Sequence, residues 1–452
     1  MADVDSGSLP VIAVTAAVGA IVLLLGLFCS VIKSRDKGER EDDNSSSNKS
    51  ESKEQSRGDK HSKKQKSQPR SKKAPQVMFS HPWLSSSLKG HSGRVLSFDF
   101  SSNGKYLATA AEDRTVLLWS VKEFNQKEHK VIRGNVEYDH ATHVKFSPDS
   151  RAYLVSTSVE NALRVYKIGK KDDGSAGNIT MAVQFEKKSD AEIINIGIAS
   201  SGKFIMTCHS DTTMLIWDLK GDLLATIDTH QMNNSHGALS PCGRFVASSG
   251  FTPDVKVWEV CFDKGGNFKE VARAFELKGH KAGVHSFSFS SDSSRMASVS
   301  KDGTWRFWDT DIRYQMGQDP YLLYTGNFES PLHSLISLSP DGRTVAIAAD
   351  TSVTIFSTGT GEKEQSIDDM HSAPVTWLGF DLSNRYLLTA GDKHIHVMHN
   401  VAGYKATIVD LKEKEKKATS QAMKERIRQQ IEEARERLQT IMGEANGTAV
   451  GK

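Results

Sequence analysis

The chain holds 452 residues, 38% hydrophobic and 25% charged, which suits a folded core and excludes a multi-span membrane protein. Its formal charge of +3 excludes a uniformly basic surface as the explanation of what it binds. Cys29, Cys208, Cys242 and Cys261 form no CxxC and no regular spacing, which excludes a disulfide scaffold and a cysteine-based zinc module.

Residues 1–8 carry Asp3 and Asp5 but no Lys or Arg, and Leu9 to Ile32, LPVIAVTAAVGAIVLLLGLFCSVI, carries no charge at all. As a helix this stretch reaches about 36 Å, against a hydrocarbon core of roughly 30 Å. A removable signal has a basic start and a shorter apolar core, so residues 9–32 read as an uncleaved single span. Lys33, Arg35 and Lys37 follow directly. A basic flank stays on the cytosolic side, which places 1–8 in the lumen and everything after Ile32 in the cytosol. In that orientation the Asn-x-Ser/Thr triplets at Asn178 and Asn233 remain bare.

Residues 33–78 hold 14 Lys/Arg and 8 Asp/Glu, a balance of +6, with many serines and few large apolar groups. Such a segment buries too little surface to offset chain entropy and reads as a disordered tether. His61 to Lys73, HSKKQKSQPRSKK, concentrates cations that suit anionic lipid or RNA. Residues 79–452 sum to −1, so nonspecific attraction of this kind belongs to the tether.

From residue 88 the sequence repeats. LKGHSGRVLSFDFSSNGKYLATAAEDRTVLLWS (88–120) parallels LKGHKAGVHSFSFSSDSSRMASVSKDGTWRFWD (277–309). His91, Thr109, Asp113 and Trp119 have the same spacing as His280, Ser298, Asp302 and Trp308. Equivalent strand ends fall at Trp119, Tyr166, Trp217, Trp258, Trp308, Phe356 and Met398, a period in the forties. The third unit keeps Thr207, Asp211 and Trp217 but has Ser189 at the histidine spacing. The fourth sets Pro253 and Asp254 too close to Trp258. The sixth has Phe356 for Trp, and the seventh keeps Asp392 but ends at Met398. These departures leave the boundaries of units two, four, six and seven open. Apolar and polar residues alternate within units, and Ser-Asn-Gly-Lys (102–105) or Ser-Pro-Asp-Gly (339–342) turns separate strands.

Gly-His near the start of a unit and Trp-Asp at its end resemble the WD40 family. That resemblance implies an all-β, seven-bladed propeller over 79–410; the stretch 419–442, which lacks Gly and Pro, reads separately as a charged C-terminal helix within a tail over 411–452. The resemblance also implies that the His, Ser/Thr, Asp and Trp set is a buried structural hydrogen-bond chain. The set occurs in more than one unit, which argues against a hydrolase triad. With no GxSxG, HExxH or Gly-rich phosphate loop, no enzyme activity and no cofactor is expected.

His394, His396 and His399 form an HxHxxH cluster, but no carboxylate or cysteine completes a metal spacing, so no metal is assigned. Trp305 reads as core. Ile427, Ile431, Ala434, Leu438 and Ile441 make a heptad-like seam that suits packing on the propeller or a docking helix. Two segments compete to close the ring: Trp83 to Leu88, the favoured one, and the strand-like Tyr404 to Asp410. The span, tether, divergent propeller and ERIRQQIEEARERLQ tail together resemble an endoplasmic-reticulum member of the family. That implies a membrane scaffold that binds the stress-activated kinase of the unfolded-protein response acting on translation initiation. The alternative is an RNA-binding or ribosome-proximal factor at the same membrane.

Overall fold

Short alternating segments bounded by four-residue turns form twenty-eight strands among the described residues. The computed structural model describes residues 79–449 apart from positions 329 and 331. The segments expected to be lumenal (1–8), membrane-spanning (9–32) and a tether (33–78), with Lys33, Arg35 and Lys37, lie outside the described residues. Among the described residues no helix is long and apolar enough to cross a membrane.

The strands make seven four-stranded antiparallel sheets, the blades of a β-propeller. Burial explains the sequence pattern of each blade. In blade one the middle strands, Tyr106–Ala111 and Thr115–Ser120, are buried on both faces because neighbouring blades cover both. Their sequences are accordingly near-continuous in apolar and small residues. The outermost strand, Val131–Asn135, has one covered edge and carries mostly exposed side chains. Leu107 and Leu117 are fully buried. Each such side chain contributes roughly 1.5–3 kcal/mol.

The turn between the first and second strands repeats its geometry in all seven blades. Its last residue is left-handed every time: Gly104, Ser150, Gly202, Gly243, Ser293, Gly342 and Asn384, with φ between 58° and 71°. Glycine takes that conformation without a Cβ penalty, and Asn tolerates it. Side chains then tie one innermost strand to the next. Ser97 Oγ accepts from the Val144 N–H at 3.0 Å and Asp99 Oδ2 from the Phe146 N–H at 2.8 Å. Asn195 Oδ1 accepts from the Gly237 N–H at 2.8 Å, and Ser288 Oγ from the Leu338 N–H at 3.0 Å.

The ring closes through Leu84–Lys89, which forms the outer strand of blade seven against His394–His399. Leu88, fully buried, sits opposite Ile395. Pro82 lies before the strand, where its missing N–H leaves no gap in the ladder.

Tyr404 to Asp410, strand-like by propensity, is helical, and the propeller therefore ends at about residue 400 rather than 410. Helix α1 spans Val401–Lys417 and helix α2 spans Gln421–Ala449, in place of one helix from 411. Three contacts override propensity. The outer place in blade seven is occupied, Asn400 Oδ1 caps the Gly403 N–H at 2.9 Å, and Val401 and Ala402 are buried against the blade. The α2 seam faces inward. Ile427 and Ile431 pack with Ile408, Leu411 and Ala418, while Leu438 and Ile441 join the blade-seven core.

Candidate functional site

The polar sets of blades one and five are continuous hydrogen-bond chains. His91 Nδ1 lies 3.0 Å from Asp113 Oδ2, and His91 Nε2 lies 2.7 Å from Thr109 Oγ1. Trp119 Nε1 donates to the same hydroxyl at 2.9 Å. In blade five the distances are 3.1 Å from His280 to Asp302, 2.8 Å from His280 to Ser298, and 3.1 Å from Trp308 to Ser298. A carboxylate only accepts, which assigns the imidazole proton to Nδ1 and leaves Nε2 to accept from the hydroxyl. Burial resists charge on Asp302, yet the Thr304 hydroxyl, the Lys281 N–H and His280 hold its carboxyl down at about 2. Burial likewise opposes charge on Asp113, but bonds from His91, Thr115 and Ser92 hold it well below the usual range. His280 is pushed down to about 4 by burial. Thr109 and Ser298 are wholly inaccessible, so neither hydroxyl can reach a substrate. The chain's chemistry is anchoring of a loop to two strands.

Blade three keeps part of the set by other means. Trp217 Nε1 donates to Thr207 Oγ1 at 3.1 Å. Asp211 stands apart and binds the Thr213 N–H and hydroxyl in its own turn. Ser189 offers its carbonyl to Asn161 at 3.5 Å. The missing imidazole comes from His209, whose Nε2 is 3.0 Å from Thr207 and whose Nδ1 is 2.9 Å from the Ala191 carbonyl. Residues i and i+2 share a strand face, the sequence signal that marks His209.

Blade seven is fuller than its sequence suggested. His371 Nε2 is 2.9 Å from Thr389 Oγ1, and His371 Nδ1 is 3.4 Å from Asp392. Met398, buried, takes the tryptophan place. Blade six replaces the polar set with packed rings, Phe356 lying 5.3 Å from Trp305 and 6.3 Å from Phe328. Trp305 is fully buried. Blade two stacks Tyr153 on Tyr166 at 5.3 Å. In blade four Gln231 Nε2 donates to the Ser248 and Asp254 carbonyls, both at 3.2 Å.

The HxHxxH residues have separate partners. His394 lies 3.2 Å from Asp392, His396 bonds Ser87 at 2.8 Å, and the His399 ring sits 5.3 Å from Tyr386. Among the described residues no three His, Cys, Asp or Glu side chains converge as a metal site.

On the ring itself, the axial channel and one loop face are open to ligands. The axial channel holds a cavity of about 480 Å³ that Phe98, Lys145, His236 and Trp377 help to line. Burial holds His236 down at about 3, and His143 and His285, also on innermost strands, at about 4. The second surface is the face that carries the tetrad loops. Tyr138 and Met232 precede the innermost strands of blades two and four and are 87% and 71% exposed. Both have left-handed backbones, φ 63° and 64°, a costly conformation for large residues. Val159 and Phe251, 78% and 64% exposed, stand in the facing loops of the same blades. These four were invisible to motif spacing, and only their place in apolar-poor loops hints at them.

The family model described as "WD domain, G-beta repeat" matches residues 83–120 and 272–309. Transducin beta-like protein 2 of Mus musculus is 49% identical over 423 residues, covering 93% of this chain and 96% of that protein. The Homo sapiens protein of the same name is 51% identical over 385 residues, covering 84% and 86%. Apoptotic protease-activating factor 1 of Danio rerio is 25% identical over 232 residues, 49% of this chain and 17% of that protein. With about half its residues shared over most of the length of the two transducin beta-like protein 2 relatives, the chain belongs to the transducin beta-like protein 2 family of WD40-repeat proteins.

Proposed function

We propose that the chain is a non-catalytic scaffold, anchored in the endoplasmic-reticulum membrane by residues 9–32, that presents its propeller to the cytosol. The observation that carries the scaffold reading is the pair of strained, solvent-exposed apolar residues Tyr138 and Met232 on one face. Isolated exposed apolar groups are common, but holding large ones in left-handed backbone favours a binding role. The partner in this reading is the stress-activated kinase of the unfolded-protein response, taken from the resemblance of the whole chain. The anchor rests on the uncharged 9–32 stretch and its acid-before, base-after flanks.

Co-purification of that kinase with full-length protein tests the partner. Tyr138→Ser with Met232→Ser should lower recovery at least fivefold at unchanged Tm, and unchanged recovery rejects this face. Protease digestion of intact microsomes tests the anchor. The propeller should be cleaved from outside, and protection would place it in the lumen.

RNA contact through the tether is the second reading, favoured by its +6 balance beside a folded part at −1. RNA pull-down should then fall steeply with salt and vanish when the basic residues of 61–73 are replaced by Ser.

A further inference from the structure

Helices α1 and α2 do not fill the space beside blades six and seven. A cleft of about 460 Å³ remains between them and the turns that carry Arg343 and Arg385. Its other cations are Lys414 of α1 and Arg437 of α2, against one lining carboxylate, Glu433. Four elements distant in sequence thus direct cations to one concavity.

Two of these cations are already committed. Arg343 is bound to Asp410 at 2.5 Å and to Asp341 at 2.9 Å, and Lys414 to Asp410 at 3.0 Å. These pairs pin α1 to the blade-six turn and fix one wall. Arg385 and Arg437 are different. Arg385 donates through Nε to Ser383 at 2.8 Å, and its guanidinium lies 5.6 Å from the Tyr386 ring. That arrangement orients the side chain and leaves both terminal nitrogens for another acceptor. Arg437 has no carboxylate within ion-pair distance among the described residues, although Glu433 lies one turn back. Among the described residues Arg385 and Arg437 are thus the two cations of the cleft that no carboxylate pairs, and an anion entering it meets two open guanidinium groups.

We propose that this cleft binds a compact polyphosphorylated anion, of the chemistry shared by inositol polyphosphates and phosphoinositide headgroups, through Arg385 and Arg437. Guanidinium groups present paired N–H donors that match phosphate oxygens, and Lys414 adds a point charge at the rim. An anion with several phosphates matches donors that arise from separate elements, the blade-seven turn and α2. Occupancy would cross-link the helical hairpin to the ring. The inference goes beyond the scaffold reading, since it concerns a small ligand on a different part of the molecule.

Titration calorimetry of the purified full-length chain with inositol hexakisphosphate tests it. The expected result is saturable one-to-one binding, weakened at least tenfold in Arg385→Ala with Arg437→Ala. Both side chains are exposed, so the variants should keep the parent Tm, and single Arg→Gln variants give intermediate losses if the double variant does not fold. The basic tether is the internal competitor. Binding unchanged in the double variant would come from the tether and overturns the proposal, as does the absence of binding. Inorganic phosphate binding as tightly as the hexakisphosphate also overturns it. A short-acyl, water-soluble phosphoinositide separates the two sources: binding tenfold tighter than its isolated headgroup indicates a lipid, and equal binding a free anion. Displacement by an acidic peptide at equal concentration would make the site a peptide site and overturn the small-ligand assignment.

Discussion

His209 reaches Thr207, two residues earlier on the same strand, and supplies from within the sheet the imidazole that other blades bring from a loop. Because His209 also bonds the Ala191 carbonyl, the loop before blade three is still tied to the strand. Replacing His209 with Phe should therefore lower stability by about 1–3 kcal/mol, the range for leaving buried partners unsatisfied. Ser189→His should not restore it. Denaturant unfolding of both variants reads the outcome.

Asp113→Ala and Asp302→Ala each strand a buried histidine and a backbone N–H. Each should cost about 1–3 kcal/mol. Asp211→Ala, in a solvent-facing turn, should cost less than either. Equal losses at all three positions would contradict the structural chain described for blades one and five.

Ring closure predicts a contrast between the two segments that compete for the outer place of blade seven. Leu88→Ala empties a fully buried site beside Ile395 and should cost about 2–5 kcal/mol. Val409→Ala, on the 55% exposed flank of α1, should stay within about 0.5 kcal/mol. Thermal unfolding distinguishes them directly.

Acid should loosen the ring in two stages. His143, His280 and His285 titrate near 4 in the folded protein, and His236 and His396 near 3, all below the ordinary 6.5. The unfolded chain therefore takes up protons first as pH falls, and stability declines from about 6.5 toward 4. Asp302 adds a second decline from 3.8 toward about 2, since its depressed value favours the folded state only while it is ionised. Tm measured against pH should fall by several degrees between neutrality and pH 5. Asn at 236 and 285 should flatten that slope.

Much of this architecture was legible because blades one and five repeat their polar set with the same spacings. His371 was missed because its distance to Asp392 is one residue short of the pattern, although its separation of 18 residues from Thr389 matches that of His91 from Thr109. His209 was missed because spacing searches look for a loop histidine, and strand alternation was the relevant period. The α1 start was hidden by β-propensity in Tyr404 to Val409, which yields to tertiary contacts at Asn400 and Val401. The cleft cations come from four elements, and no local pattern gathers them.

Closure by a strand from the chain's start has a consequence for biosynthesis. Ser87 and His396 meet across 309 residues. At about 5–20 residues per second, roughly 15–60 s separate the synthesis of the two partners. During that interval Leu84–Lys89 has no strand to pair with, and blade seven has not been made. A ribosome stalled before the last blade leaves an open ring with unpaired edges, a species that invites chaperone capture. Quality control of this protein should therefore respond to events late in translation, after most of the fold has already formed.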